Sequence, residues 1–556
     1  MRGFSRLGRR DSLERAAENI NDVLIVGGGI TGAGIAREAA LRGFRVVLAE
    51  RGDFASGTSS RSSKLIHGGV RYLQQGDIAL VREAARERAV LRRIAPHLAT
   101  PARMLLPASR KSSLLKLGAG LWTFERLAGP DEEDRHRSLD RRATLDLEPR
   151  LRSGELAGSV TFTEFITSDS RLTLETLQSA AGAGADVISY AEVTRIESDP
   201  CGVQVSVRDR EGGGDLVIRA RCVVNAAGPW FDDVRGLFGG FAGSAGRSAS
   251  QAESVVQLTR GIHLVVRRER FPVSSIVVLR APDGRSAFVV PRGEFAYIVT
   301  TDTEYVGDPA EPGLCASDVE YLLEAAAATF EDAPTAADIV GTWSGVRPLL
   351  RQAGKKPSEI SRRDEILTGP GPFVSIAGGK LTTYRRMAER VVDRVREVVG
   401  DQPRAADSAT APLAGGSAAD QAMAFTAARR LDDPALDSRL WATYGTAAAN
   451  IVGRIQREPS TAEPVGGLEC LTEAEIRHCV ENEMVLSLDD LLRRRSHIAM
   501  FDTDRSLGAA TAAAHCLADC LGWDDERTRT EVEGFIRARA GDLGLARTGT
   551  SGGECS

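Results

Sequence analysis

Three glycines open the chemistry of this chain. Gly27-x-Gly29-x-x-Gly32 follows the short apolar run Val23-Leu24-Ile25-Val26 and precedes a helical stretch through Ile35 to Leu41. Arg45 to Glu50 then reads as a second strand, so the glycines sit in the turn of one βαβ unit. In that setting Gly27 permits a tight turn, Gly29 lets backbone approach a pyrophosphate, and Gly32 lets the helix pack close to the strand. The helix N-terminus offers free N–H groups and a positive dipole end to the phosphates. Glu50, 18 residues beyond Gly32, puts a carboxylate where the ribose hydroxyls of an adenosine would donate to it, and its charge disfavours a 2′-phosphate. The pattern predicts a bound dinucleotide and leaves FAD and NAD open.

Three further pieces favour a flavin. The run from Thr58 to Leu73 is dense in hydroxyls and small residues, with Thr58, Ser59, Ser60, Ser63 and Lys64 able to donate to a phosphate or a ring edge. His67, next to Gly68 and Gly69, is placed to touch a flat ligand. Val223-Val224-Asn225-Ala226-Ala227-Gly228 is a buried strand ending in small residues, where Ala227 and Gly228 let backbone pass close to a ring. Val374 to Thr383 is a strand that reaches Gly378-Gly379 and then, past Lys380 and Leu381, a helix whose expected N-cap is Thr382 or Thr383. A helix N-terminus there stabilises the negative charge that reduced flavin carries around N1 and the C2 carbonyl.

Together, Gly27 to Gly34, Thr58 to Leu73, Gly261-Ile262-His263, Thr300-Thr301-Asp302, Ser344 to Leu349 and Gly378 to Tyr384 resemble the FAD-dependent glycerol-3-phosphate dehydrogenases of the aerobic type. The resemblance runs from about residue 21 to 400 and continues more weakly to about 540. Val299 departs from it, standing where that family often has glycine. The resemblance implies an α/β chain: a doubly wound FAD-binding domain, an antiparallel-sheet substrate domain and a C-terminal all-α domain. It implies oxidation of sn-glycerol 3-phosphate to dihydroxyacetone phosphate, with hydride passing from substrate C2 to flavin N5.

A phosphomonoester needs several cationic donors, and Arg71, Arg347, Arg362 and Lys380 lie in or beside the matched motifs. Arg71, Arg362 and Lys380 are the expected phosphate ligands, with Tyr72 positioning the phosphate through its hydroxyl. His263 is the expected base for the hydroxyl proton, and Arg347 the cation that stabilises developing alkoxide charge. The resemblance also implies a respiratory quinone as electron acceptor, peripheral attachment at the cytoplasmic membrane face, and a homodimer. Three other readings compete: an oxidase passing electrons to oxygen, an amino-acid or amine oxidase, and a non-catalytic FAD-binding protein. The number of cations favours phosphate over a lone carboxylate.

The elements that must position these residues are spread over 556 residues, too many for one core. The expected organisation is a polar arm over 1–20, a discontinuous FAD-binding domain over 21–400, and an inserted sheet domain mainly at 96–150 and 245–340. A linker at 401–420, a helical domain at 421–545 and a flexible tail at 546–556 follow. The Gly/Ser/Ala-rich stretch 239–253 reads as a surface loop. A net charge of −5 argues against nucleic acid as a partner. No apolar run is long enough for a transmembrane helix, and Arg9-Arg10 is followed by Asp11 and Glu14 rather than the apolar core of an export signal. Leu114 to Trp122 mixes leucines, Lys116 and Trp122 as an interfacial helix would, although a packed core helix has the same pattern. The eight scattered cysteines include no CxxC pair. Cys516 and Cys520, beside His515 in an Ala-rich helix, make a poor metal site, so no metal is expected and the thiols are expected to be free.

Overall fold

The computed structural model describes residues 4–67, 78–128, 135–200, 202–238, 254–281, 283–352, 364–400, 406–416 and 431–548. The expected loop 239–253, the tail from 549, and Arg71, Tyr72 and Arg362 lie outside them.

The first sheet is built from strands that are apolar on both faces. Val23, Ile25, Val46 and Leu48 point into one core, while Leu24, Val26, Val47 and Ala49 point into another. Among the described residues the strand order is Glu365–Thr368, Phe373–Ala377, Asp215–Asn225, Ile20–Val26, Val46–Ala49 and Asp186–Ile188. All pairings are parallel except the one between Glu365–Thr368 and Phe373–Ala377. Helices Ile30–Leu41, Asp169–Gly182 and Tyr384–Val399 cover the first face. The antiparallel ribbon Ala191–Asp199 and Gly202–Asp209 covers the second, and the turn at Gly213 and Gly214 joins its last strand to Asp215–Asn225. Five parallel strands thus end on one edge, the arrangement that leaves a crevice at their carboxyl ends.

The second sheet has Val256–Arg267 paired to both Phe295–Val299 and Ile339–Leu350. Its even-numbered residues Ile262, Leu264 and Val266 pack under the helix Ala316–Thr329, while the odd face carries His263, Tyr297 and Trp343. Strands Leu65–Ile66, Gly158–Ile166 and Ile339–Leu350 belong to this sheet, so its boundaries differ from the expected 96–150 and 245–340. Strand pairing joins segments that sequence periodicity cannot associate.

Three expectations need correcting. Within the expected polar arm, Arg6–Glu18 is a helix, capped by Ser5, that buries Leu13 and Ala16 against the first sheet. Its Arg9 guanidinium reaches Asp209 at 2.5 Å and the carbonyl of Ser189 at 2.6 Å. Residues 406–416 are not a free linker either. Leu413 is buried, and Arg37 donates to the carbonyls of Ser408 and Ala411. The third concerns one thiol: Cys315 is disulfide-bonded, whereas Cys222, Cys470, Cys479, Cys516 and Cys520 are free as expected.

The C-terminal region packs Pro434–Tyr444, Ala448–Arg457, Glu473–Asn482, Thr503–Leu521 and Asp525–Thr548 around a core containing Ile451, Ala513 and Leu517. A small hairpin, Pro464–Val465 with Leu468–Thr472, interrupts the helices. Buried ion pairs fasten this region to the first sheet: Arg494 and Arg495 hold Asp53, and Glu483 holds Arg171.

Candidate active site

The cavity at the carboxyl edge of the first sheet has a volume of about 560 Å³. Gly27, Gly29, Glu50, Thr58, Ser59, Ala227, Gly228, Gly378, Gly379, Lys380 and Leu381 line it. Four strand ends, distant in sequence, meet there. Gly27 has φ +112°, and a Cβ on it would lie 2.7 Å from the carbonyl oxygen of Ala226. Gly32 lies behind the cavity, where a side chain would collide with the carbonyl of Gly27. The third glycine therefore seats the helix against the strand, as its spacing implied.

Both oxygens of Glu50 are engaged: Gly28 N–H donates to Oε2 at 2.6 Å and Gly52 N–H to Oε1 at 2.9 Å. Burial pushes its carboxyl up, and the two backbone donors oppose that shift. These bonds hold the carboxylate in the cavity wall, where each oxygen keeps a second acceptor position. Ser59 Oγ accepts from Ile30 N–H at 2.9 Å and so fixes the helix entrance. Ser60, next in the loop, does not line the cavity, and its Oγ is buried without a hydrogen-bond partner. A wall of glycines, where side chains would intrude, and a carboxylate with free acceptor positions fit an extended polyhydroxylic dinucleotide such as FAD.

Lys64 does something else. Its fully buried Nζ donates to Asp169 at 2.7 Å and to the carbonyl of Ser60 at 2.9 Å. Its own N–H and carbonyl are bonded to Ser62 Oγ and Thr167 N–H. Its Nζ thus fixes the Thr58–Lys64 loop, and the residue does not line the cavity. Thr382 Oγ1 donates to the carbonyl of His67 at 3.4 Å, tying that loop's far end to the helix entrance at Leu381–Thr383. Thr383 occupies the N-cap position of Tyr384–Val399 but makes no capping bond, its hydroxyl turning to Met387 Sδ instead.

The same loop crosses the odd face of the second sheet. Thr58 Oγ1 donates to the carbonyl of Val346 at 2.7 Å, and Ser63 Oγ lies 3.2 Å from His263 Nε2. His263 Nδ1 lies 3.3 Å from the carbonyl of Trp343, which can only accept, so Nδ1 carries the proton and Nε2 presents a lone pair. The imidazole stacks on Trp343 at a centroid distance of 4.4 Å. Burial, then the charges of Arg347 and Lys64, push its pKa well below the usual value, so it is neutral near pH 7.

Arg347 lies four rungs along the same strand pair, opposite Thr259. Its guanidinium passes over Gly261, where a side chain could not fit, to Thr300 Oγ1 at 2.7 Å, the carbonyl of Thr301 at 3.1 Å and Asp302 Oδ1 at 3.3 Å. Three sequence motifs, Gly261 to His263, Thr300 to Asp302 and Ser344 to Leu349, thus form one cluster. Trp343, Tyr297 and Asp169 join the site without having been among the expected residues. Trp343 precedes a matched motif directly, a signal that was available; Asp169 becomes visible only through its contact with Lys64.

The chain matches the family model described as FAD dependent oxidoreductase over residues 22–385, and that of the C-terminal domain of alpha-glycerophosphate oxidase over 407–528. It is 35% identical over 563 residues to the aerobic glycerol-3-phosphate dehydrogenase of Staphylococcus epidermidis, covering 97% of this chain and 98% of that one. The protein of the same name from Bacillus subtilis is 34% identical, over 95% of this chain and 96% of the relative. Among solved structures, the glycerol-3-phosphate dehydrogenase of Bacillus halodurans complexed with FAD superposes with a TM-score of 0.79 at 32% identity, covering 99% of this chain and all of that one.

Proposed function

The chain belongs to the family of FAD-dependent aerobic glycerol-3-phosphate dehydrogenases, and from that premise we propose how its own residues carry the reaction. It is an FAD-dependent oxidoreductase that oxidises glycerol 3-phosphate. When bound, FAD supplies the acceptor for the hydride that leaves substrate C2. The observation that carries the reading is the Thr58–Lys64 loop: Thr58 and Ser59 line the dinucleotide cavity while Ser63 contacts His263 at 3.2 Å.

His263 Nε2 accepts the C2 hydroxyl proton. Its Nδ1–H bond to Trp343 leaves the lone pair on Nε2, where Ser63 Oγ donates, so the C2 hydroxyl takes the place of the Ser63 hydroxyl at that atom. Arg347 lies close enough to depress the imidazole pKa, and the same positive charge lowers the energy of an alkoxide at C2. Lys380 reaches the cavity from the turn after Gly379 and, with Arg71, Arg362 and Tyr72, holds the phosphate. Gly27, Gly29, Glu50, Thr58, Ser59, Ser60, Ser63, His67, Ala227, Gly228, Gly378, Gly379, Leu381 and Thr382 hold FAD, and Gly32 seats the helix whose N-terminus meets its phosphates. Ser59 and the glycines set the helix entrance for its phosphates.

We extend the proposal to a quinone acceptor at a membrane surface. The helix Lys111–Ala128 exposes Leu115 (76%) and Trp122 (55%), with Arg126 5.1 Å from the Trp122 ring, while Leu121 is buried. An apolar stripe flanked by Lys111, Lys116 and Arg126 suits an interfacial helix. No helix among the described residues is long and apolar enough to cross a membrane. The homodimer rests on the resemblance alone, and light scattering on the FAD-loaded protein decides it.

Adding glycerol 3-phosphate without oxygen should bleach the yellow flavin absorbance. An unbleached, FAD-loaded protein would refute the substrate assignment. Adding a quinone analogue or oxygen to the bleached enzyme then separates dehydrogenase from oxidase.

A further inference from the structure

Away from the cavity, Arg61, Arg493 and Arg539 converge from three elements: the end of the Thr58–Ser60 turn, the Asp490–Arg495 turn and the Asp525–Thr548 helix. Their nearest nitrogens lie 3.9, 3.8 and 3.6 Å from a single atom, Glu311 Oε1. All three distances exceed a hydrogen bond. The arginines are buried, whereas the Glu311 side chain is 63% exposed. Arg61 Nε and Nη1 and Arg539 Nε are buried without a hydrogen-bond partner.

The other acids facing the cluster do not satisfy it. Asp489 is bound to Arg494 at 2.7 Å and stands 3.9 Å from Arg493 and 3.5 Å from Arg539. Arg494 is itself held by Asp53 and Asp490. The Asp542 carboxyl is pushed up by burial, which weakens it as a counter-charge. Burial, then Arg61 and Arg539, pushes the Arg493 pKa well down, the sign of positive charges crowded together. One planar carboxylate cannot meet three guanidinium forks arriving from three directions. A tetrahedral anion has an oxygen for each.

We infer that Arg61, Arg493 and Arg539 form a second anion site, for inorganic phosphate or the phosphate of a small monoester, with Glu311 as the exposed internal carboxylate that the anion displaces. The site is separate from the proposed substrate pocket. It acts on the same loop, because Arg61 packs against Gly345 of the Arg347 strand and follows Thr58 and Ser59 of the cavity wall.

The test is calorimetric titration of the FAD-loaded full chain with inorganic phosphate, and in a parallel arm with methyl phosphate, at ionic strength held constant with chloride. Glu311→Gln removes the competing charge and should tighten one class of phosphate binding about tenfold, the scale of one charge-assisted hydrogen bond. Arg539→Gln should weaken the same class by a similar factor. The binding class that substrate competes for should be unchanged in both. Phosphate binding that is identical in wild type, Glu311→Gln and Arg539→Gln would overturn the site, as would weaker binding in Glu311→Gln. If Arg539→Gln fails to fold, Glu311→Gln decides alone, since its side chain is exposed. Binding of methyl phosphate as well as phosphate assigns the site to monoesters; binding of inorganic phosphate only assigns it to the free ion, and both support it.

Discussion

Replacing Gly27 and Gly29 by alanine, one at a time, separates the two roles that the glycine motif combines. Gly27 has φ +112°, which costs an L-residue about 1–3 kcal/mol. A Cβ there would lie 2.7 Å from the carbonyl oxygen of Ala226 and 3.1 Å from Cα of Ala227. Both obstacles are backbone, and they cannot retreat easily. Ala226 N–H is bonded to the carbonyl of Val26 at 3.0 Å, and Gly27 N–H to that of Ala49 at 2.9 Å. Relieving the overlap adds about 1–3 kcal/mol of packing strain. Gly27→Ala should therefore destabilise the apoprotein by about 2–6 kcal/mol, lowering its melting temperature by about 2–7 °C if the two sheets melt together.

Gly29 differs. Its φ is −78°, and a Cβ would meet only Ser59 Oγ, at 3.1 Å. A hydroxyl can rotate away, so Gly29→Ala should change apoprotein stability by less than about 1 kcal/mol. Gly29 lines the cavity, however, and displacing Ser59 frees the Ile30 N–H at the helix entrance. FAD affinity should fall about tenfold or more, as for one lost charge-assisted contact. Thermal melting of apoprotein and fluorescence titration with FAD measure the two effects. Equal apoprotein stability in the two variants, or unchanged FAD affinity in Gly29→Ala, would refute the division.

Arg347→Ala should leave FAD bound but slow anaerobic flavin reduction by a factor on the order of a hundred or more, read by stopped-flow bleaching; an unchanged rate removes Arg347 from the chemistry. The variant should also let the His263 pKa rise towards its usual value, because Arg347 is the largest charge depressing it, and a pH profile of reduction would record the shift. Lys64→Met strands the buried Asp169 carboxylate with only the Ser62 and Ser170 donors, and should cost about 3–5 kcal/mol, recovered in part by adding Asp169→Asn in a denaturation cycle. Burial pushes His263, His478 and His497 below the usual histidine value. In the window below pH about 6.5 the unfolded chain therefore binds more protons than the fold, so stability is full above that pH and falls as pH drops, by about 1.4 kcal/mol per unit for each histidine. His497 has φ 64°, a conformation asparagine tolerates, so His497→Asn should keep the fold and remove one histidine's share of that slope.

What the sequence alone determined was local or carried by short motifs. The βαβ unit at residues 20–50 and the helix Tyr384–Val399 follow from periodicity and glycine spacing, because strand and helix faces are written in neighbouring residues. The glycine turn and Glu50 were legible for the same reason. Tertiary structure decided the rest. The rung-by-rung register of Val256–Arg267 against Ile339–Leu350 sets Trp343 beside His263 and leaves room for Arg347 over Gly261. Only three-dimensional contact shows that Lys64 belongs to Asp169, that the N-terminal helix is docked, or that three arginines far apart in the chain face one glutamate. A side chain's type fixes what it can do; burial and its nearest charges decide what it does, and those come from residues hundreds of positions away.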